Sequence, residues 1–426
     1  MERLVIEGGR QLKGTVRVSG AKNAVLKLLA AALMTSETCT FRNVPDLADV
    51  DEMISLLRGL GAEVWNPEPG VLQVRARSLH HEAPEDAVRR MRASIQVMGP
   101  LLGRLGKVRI ALPGGCDLGP RPIDLHLKGL SALGAQIEEK AGHVEGSARR
   151  LRGADIYLDQ PSVGATENIM MAAVFARGVT RIHNAAQEPE IVDVAKALTK
   201  MGARIAGAGT SVIRVEGVTE LGGCDHTVLP DRIEAGTFMV VAALVGEDVC
   251  IEPDIPEHID AITAKLREMG AGVEIRQHRA RVWRRPLRAV RVQTRPHPGF
   301  PTDMQPQIVA ALSLAKGTSI VSETVFSSRF KYVDELRRMG ADIAIVGNVA
   351  VIRGTRSLSG CSDLEATDLR AGAALVLAAL AAEGVTSIGG LHHIDRGYED
   401  LCGKLQGIGA NIERLQHDPV AIGQHA

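Results

Sequence analysis

The sequence is poor in aromatic residues: Phe, Trp and Tyr make up 3% of its 426 positions. A core must therefore be aliphatic, and the stacking platforms that bind single-stranded nucleic acid have little to draw on. Net charge is lacking as well. Fifty Lys and Arg face fifty Asp and Glu, which argues against a broad footprint for nucleic acid or a membrane surface but leaves room for a local basic pocket. No apolar run approaches the ~18 residues of a membrane span; the longest candidate is 371–382. The opening Met-Glu-Arg-Leu-Val-Ile has no basic segment followed by an apolar one, and so no secretory signature. The six cysteines, at 39, 116, 224, 250, 361 and 402, form no Cys-x-x-Cys pair. That argues against a zinc site and for reduced thiols in a cytosol. The expectation is a soluble cytoplasmic protein with small-molecule partners, without a metal, cofactor, nucleic acid or membrane.

What is present is a repeat. The pattern Leu-x-x-[Leu/Met/Ile]-Gly-Ala-x-[Val/Ile] occurs at 57–64, 130–137, 198–205, 266–273, 336–343 and 405–412. Its glycines, at 61, 134, 202, 270, 340 and 409, are 73, 68, 68, 70 and 69 residues apart. Each copy reads as a helix end: apolar residues at i and i+3 face a core, glycine takes a left-handed conformation, and β-type residues then start a strand. Upstream of each lies a second, Ala- and Leu-rich helix. These helices open at Ser19-Gly-Ala-Lys-Asn23, Met91-Arg-Ala-Ser94, Ser162-Val-Gly-Ala-Thr166, Asp231-Arg-Ile-Glu234, Thr302-Asp-Met-Gln305 and Thr367-Asp-Leu-Arg370. A unit of β-α-β-α-β-β is too long for the common solenoid periods. Six units predict an α/β fold of two globular halves, three units in each, with 416–426 peripheral.

Basic residues at helix starts oppose the macrodipole. Lys22, Arg92, Arg232 and Arg370 all stand at such starts. An anionic ligand would reconcile them, since N-terminal N–H groups and basic side chains both bind anions; a salt bridge to an adjacent acid, such as Asp231 beside Arg232, would do so too. Asp303 is open to two readings, as a reacting carboxylate or as a first-turn acid in a capping box with Thr302 as N-cap. Asp231-x-x-Glu234 is read as capping alone. The segment 112–126, with three glycines and three prolines, can be neither helix nor central strand. Cys116 lies in it, with Arg121 favouring a thiolate and Asp117 opposing one. Spacing leaves its reactivity undecided, while the cysteines at 39, 224, 250 and 402 read as structural.

Taken together, Ser19–Asn23, Met91–Ser94, Pro113-Gly-Gly-Cys116, Arg121-Pro-x-Asp-Leu-His126, Ser162–Thr166, Glu188-Pro-Glu-Ile-Val-Asp193, Phe300-Pro-Thr-Asp-Met-Gln305 and His393-Ile-Asp-Arg-Gly-Tyr398 resemble the UDP-N-acetylglucosamine enolpyruvyl transferases. The resemblance runs over nearly the whole chain. It implies an inside-out α/β barrel of two lobes, 22–229 and 1–21 with 230–426, with the active site between them. It also implies transfer of the enolpyruvyl group of phosphoenolpyruvate to the 3′-hydroxyl of UDP-N-acetylglucosamine by addition and elimination, releasing phosphate, as the first committed step of peptidoglycan precursor synthesis.

By resemblance, Lys22, Asn23, Arg121 and Arg396 contact phosphoenolpyruvate, and Asn23 and Arg92 contact the sugar nucleotide. Arg121, Pro122, Ile123, Asp124 and Leu125 form the uridine loop, and Ser162, Val163 and Gly164 the diphosphate turn. Asp303 sits beside the sugar 3′-hydroxyl, Val325 is a further sugar contact, Cys116 is the general acid, and Arg370 is structural or touches an anion. Lys22 and Arg396 join Cys116 and Asp303 as the catalytic set. Two positions depart from some members: Gln160 replaces a lysine near the nucleotide, and Asp117 follows the cysteine where small apolar residues are common. Two alternatives are a sister enzyme acting on shikimate 3-phosphate, which lacks both the Pro-Gly-Gly-Cys loop and the Arg-Pro-x-Asp-Leu-His run, and a non-catalytic nucleotide-sugar-binding paralogue.

Overall fold

The structure is a computed structural model that describes residues 2–114, 123–252, 255–276, 279–326 and 328–416. The repeat glycines set its local geometry. All six have φ between 93° and 108°, a region that a side chain strains. In every copy the N–H of the following alanine reaches back to the carbonyl of the repeat leucine at 2.9–3.2 Å, and the glycine N–H bonds three residues back. This closes the helix C-terminus and turns the chain into a strand. The helices so ended are Ala48–Gly59, Asp124–Ala132, Pro189–Lys200, Pro256–Met269, Val333–Arg338 and Leu401–Gly407.

The other helix of each unit is Lys22–Ala31, Met98–Leu105, Val163–Ala173, Arg232–Val245, Gln305–Leu312 or Leu369–Ala381. These are apolar around most of their circumference, and every residue of Arg232–Val245 is buried. A helix apolar on all sides must be covered on all sides, so these helices occupy the middle of each lobe and the sheets lie outside them. Six sheets are formed by the described residues, five of four strands and one of three. One unit illustrates the order: Asp155–Tyr157 runs parallel to Val179–His183, which is antiparallel to Val212–Glu216, itself antiparallel to Arg204–Ala206.

Buried apolar side chains fall into two clusters, one drawn from 21–228 and the other from 4–18 with 233–412. The N-terminal strands join the second. Glu2–Glu7 pairs with Val385–Gly389 and Asn411–Gln416, and Leu12–Arg17 lies parallel to Gly246–Glu252. The chain crosses between the clusters twice, and the crossings lie side by side: the Ala21 N–H donates to the Leu229 carbonyl at 2.8 Å, and the Asp231 N–H to Ser19 at 2.9 Å. The Asp231 carboxylate caps a helix on each side of this crossing. Oδ1 accepts the Ile233 and Glu234 N–H groups at 2.8 and 3.0 Å, and Oδ2 accepts that of Lys22 at 3.2 Å. Its capping role stands as expected, but Glu234 does not close a capping box; its carboxylate accepts the Ser19 N–H at 2.7 Å and pairs with Lys404.

Gly340 tests the turn chemistry without a packing contribution, because a Cβ there meets no atom within 4 Å. Gly340→Ala should destabilise the protein by about 1 kcal/mol, the cost of a left-handed alanine, seen as a lowered melting temperature. An unchanged melting temperature would mean that the conformation at this turn is not strained.

Candidate active site

The helix starts of the two lobes meet at the crossing, and three of the basic residues singled out in the sequence, Lys22, Arg232 and Arg370, lie around it. Their partners are not sequence neighbours. Lys22 Nζ lies 2.7 Å from Asp49 Oδ2, at the start of Ala48–Gly59, and Arg396 Nε of the other lobe lies 2.8 Å from Asp49 Oδ1. The Asp49 side chain is 5% exposed, so its charge is stable only with both cations present. Burial opposes ionisation of Asp49, yet Lys22 and Arg396 together hold its carboxyl below the usual range. Burial likewise pulls the Lys22 ammonium below the usual lysine range; Asp49 resists that shift, and Arg370 and Arg396 add to it. The loop around Arg396 makes further bonds across the lobes. The Ala48 N–H donates to the Asp395 carbonyl at 3.1 Å, and the Asp46 N–H to Glu399 Oε1 at 2.8 Å.

Asp303 is the second centre. Arg329 Nη2 donates to its Oδ1 at 2.8 Å, Arg370 Nη2 to its Oδ2 at 3.2 Å, and Asn23 Nδ2 of the opposite lobe reaches Oδ2 at 3.5 Å. Both arginines are almost wholly buried, at 2% and 3%, whereas the Asp303 side chain is 25% exposed. The carboxylate therefore stays partly open to solvent while its two cations are buried behind it. Arg370 is held on its far side by the Tyr398 ring, 5.4 Å from the guanidinium. The capping-box reading is not what forms here: Thr302–Met304 is a 3-10 turn preceded by Pro301, with no side-chain cap. The Thr302 hydroxyl instead donates to Glu323 at 2.9 Å. A buried carboxylate 21 residues on competes better for the hydroxyl than the N–H groups of a short turn.

Arg232 likewise does not pair with adjacent Asp231. Its guanidinium bonds Glu190 across the lobes, with Nε–Oε1 at 3.0 Å. Beside it, Glu188 Oε1 accepts the His297 N–H at 3.1 Å. Arg92 opens the 3-10 turn Arg92–Val97 and adds to the burial that depresses His126 to about 3.

The expected nucleotide-facing residues form a neighbouring group. Ser162 caps Val163–Ala173 by accepting the Ala165 N–H at 3.3 Å, which leaves a helix N-terminus built to meet an anion. Gly164 packs closely here, since a Cβ would lie 2.9 Å from Gln96 Nε2 and 3.1 Å from His126 Cε1. Ile123, Asp124 and Leu125 begin Asp124–Ala132, which packs on Val163–Ala173. The two groups are tied by Lys27, whose Nζ donates to the Asn23 carbonyl at 2.6 Å and pairs with Glu167 at 3.5 Å. Burial, only partly offset by Lys27, pushes the Glu167 carboxyl up to about 7. Val325 lies in an exposed turn held by Glu323. Cys116, Arg121 and Pro122, with Asp117, lie outside the described residues. Asp49, Glu190, Glu323 and Arg329 were not singled out as functional residues. Glu190 stands in the quoted Glu188–Asp193 run; the others carry no local signal.

With this geometry in place, comparison with known proteins defines the class. The family described as EPSP synthase (3-phosphoshikimate 1-carboxyvinyltransferase) matches residues 6–405, and the chain belongs to that family. Among its relatives, the UDP-N-acetylglucosamine 1-carboxyvinyltransferase 1 of Symbiobacterium thermophilum is 56% identical over 421 residues, covering 97% of this chain and 95% of the relative. The protein of the same name from Caldanaerobacter subterraneus subsp. tengcongensis is 53% identical, covering 97% and 99%. Among solved structures, the enolpyruvyl transferase NikO from Streptomyces tendae superposes with a TM-score of 0.88 at 28% identity, covering 97% and 98%. EPSP synthase from Acinetobacter baumannii shares the fold, with a TM-score of 0.77 at 21% identity over 98% and 100%. The fold is thus the inside-out, two-lobed α/β arrangement of the enolpyruvyl transferases.

Asp49→Asn tests the clamp. Asp49 raises the Lys22 pKa, so losing its charge lowers that pKa further, and Lys22 should give up its proton at a lower pH than in the wild type. NMR of reductively ¹³C-methylated lysines would read this directly. An unchanged or higher titration point would mean that Asp49 does not sustain the Lys22 charge.

Proposed function

We propose that this protein transfers the enolpyruvyl group of phosphoenolpyruvate to the 3′-hydroxyl of UDP-N-acetylglucosamine, releasing phosphate, as the first committed step of peptidoglycan precursor synthesis. The names of relatives more than half identical over nearly their full length support the acceptor. The observation that carries the chemistry is the convergence of Lys22 and Asn23 from one lobe with Asp303, Arg370 and Arg396 from the other. We place the lobes at 22–229 and at 1–21 with 230–426, a division supported by the two apolar clusters. The enzyme is assigned to the cytoplasm, acting there in cell-wall biogenesis and so in cell shape, division and the cell cycle. No helix among the described residues is long and apolar enough to cross a membrane.

In this reading Lys22 and Arg396, with Arg121 and Asn23, hold the phosphate and carboxylate of phosphoenolpyruvate. Ser162, Val163 and Gly164 receive the diphosphate of the sugar nucleotide, while Arg92, Val325 and the 121–125 segment complete its site. Asp303 draws the proton from the 3′-hydroxyl as its oxygen bonds to C2 of phosphoenolpyruvate, and Cys116 protonates the methylene carbon. The tetrahedral ketal then loses a methyl proton and the C2–O bond to phosphate, giving the enolpyruvyl ether and inorganic phosphate. The arginines behind Asp303 donate to both of its oxygens and so aim the carboxylate at the sugar hydroxyl.

The deciding experiment is phosphate release from phosphoenolpyruvate with UDP-N-acetylglucosamine, with shikimate 3-phosphate, and with neither. Release with the sugar nucleotide alone is expected, and release only with shikimate 3-phosphate would overturn the acceptor. Asp303→Asn should keep the fold and lose at least ~10²-fold in turnover, the usual acid–base contribution; near-normal turnover would remove Asp303 from the chemistry.

For Cys116, Asp is expected to sustain measurable turnover and Ser far less, because a carboxylic acid donates a proton near neutrality and a hydroxyl does not. Fosfomycin should alkylate Cys116 in the wild type and spare the Asp variant. A Cys116→Asp protein as inactive as Cys116→Ala would overturn the proton-donor role, and peptide mass spectrometry placing the adduct on another cysteine would overturn the site.

A further inference from the structure

Behind Asp303 lies a carboxylate that the mechanism above does not use. Glu323 is 1% exposed and follows the strand Thr318–Ser322. Four donors converge on it. Oε1 accepts the Thr294 hydroxyl at 2.7 Å and the Val325 and Phe326 N–H groups at 2.8 and 3.2 Å, and Oε2 accepts the Thr302 hydroxyl at 2.9 Å. A carboxylate accepts only, so both threonine hydroxyls must point their hydrogens at it. That leaves the Thr302 oxygen free to accept, and Arg329 Nη1 donates to it at 2.8 Å. The same guanidinium donates through Nη2 to Asp303 Oδ1 at 2.8 Å. The Thr294 oxygen in turn accepts the Thr324 N–H at 2.9 Å. Glu323 thereby fixes the direction of the Thr302 hydroxyl, whose oxygen anchors one arm of the Arg329 fork while the other arm donates to Asp303, and its other oxygen shapes the 323–326 turn that carries Val325.

We propose that Glu323 is a positioning residue that orients Asp303 and the Val325 turn together, setting proton acceptor and sugar contact in one frame. This rests on the acceptor reading above. Were Glu323 neutral with an amide N–H facing Thr302, the hydroxyl oxygen would have to accept from both that amide and Arg329, and its own hydrogen would lose the carboxylate it now meets. The anchor that holds Arg329 against Asp303 would then be weakened. The effect is on placement and not on burial alone, because the relay passes through the single hydroxyl of Thr302.

The test uses Glu323→Gln with Thr302→Val and Thr302→Ser. Valine keeps the shape of threonine and removes the relay atom; serine keeps the atom. Glu323→Gln and Thr302→Val should lower kcat at least ~10-fold, in keeping with the cost of a misplaced reacting group. The KM for phosphoenolpyruvate should stay within about two-fold, since that ligand's clamp is left intact. Thr302→Ser should restore kcat to within about three-fold of the wild type, as the relay oxygen is retained. Crystal structures of the two Thr302 variants supply a second measure, with Arg329 displaced from Asp303 in the valine form and in place in the serine form. Thr302→Val with wild-type kcat, Thr302→Ser as slow as Thr302→Val, or Arg329 still on Asp303 in the valine form would each overturn the proposal. A wild-type protein that releases no phosphate with UDP-N-acetylglucosamine would instead overturn the acceptor reading, and the crystal structures would then decide this one.

Discussion

A charge taken out of water at the junction of the lobes must meet an opposite charge there, and most of the site follows from that constraint. Asp49 meets Lys22 in its own lobe and Arg396 in the other. Glu190 meets Arg232 across the same junction. Asp303 gathers Arg329 and Arg370, and Asn23 approaches it from the opposite lobe. The Asp49–Arg396 and Glu190–Arg232 pairs cross the junction and are secure only while the lobes stay in register, so part of the charge that would bind a ligand also aligns the halves. Asp231 adds a mechanical element at the same place. By capping a helix on each side of the crossing, it ties the start of Lys22–Ala31 to the start of Arg232–Val245.

Much of the architecture was legible because it is local. A glycine after an amphipathic helix can be read from a few residues, and six such glycines at a near-constant period define six units without any long-range information. The buried helices were legible for a similar reason, since a segment apolar on all faces has one place to go. The basic helix starts were also visible, as residues that oppose their own dipole. What the chain does with them was not. Arg232, for which a bridge to Asp231 was one of two readings, meets Glu190, and Thr302, for which a helix cap was one reading, instead serves Glu323. Pairing between residues tens to hundreds of positions apart leaves no mark on periodicity. Asp49, Glu323 and Arg329 were silent because an acid or base in isolation looks like any solvated charge. Of the residues that family resemblance assigned, Lys22, Asn23, Asp303, Arg370 and Arg396 meet at the junction, whereas Ser162–Gly164 and Ile123–Leu125 form a neighbouring group and Val325 lies in an exposed turn.

The charge balance of that junction bears on what it can receive. Lys22, Arg329, Arg370 and Arg396 bring four positive charges, and Asp49 and Asp303 bring two negative ones. These six side chains carry a net charge of plus two. A neutral or cationic ligand would leave that excess uncompensated, whereas a small molecule bearing a carboxylate and a phosphate offsets it. The pairs already present moderate the attraction. Asp49 stands where it shares Lys22 and Arg396 with any incoming anion, so the cations are held in place before a ligand arrives and need not be gathered by it. Affinity is traded for placement, and placement is what a bimolecular addition between two bound partners requires. The Glu323–Thr302–Arg329 chain extends the same logic to Asp303, whose direction is set by buried groups standing behind it.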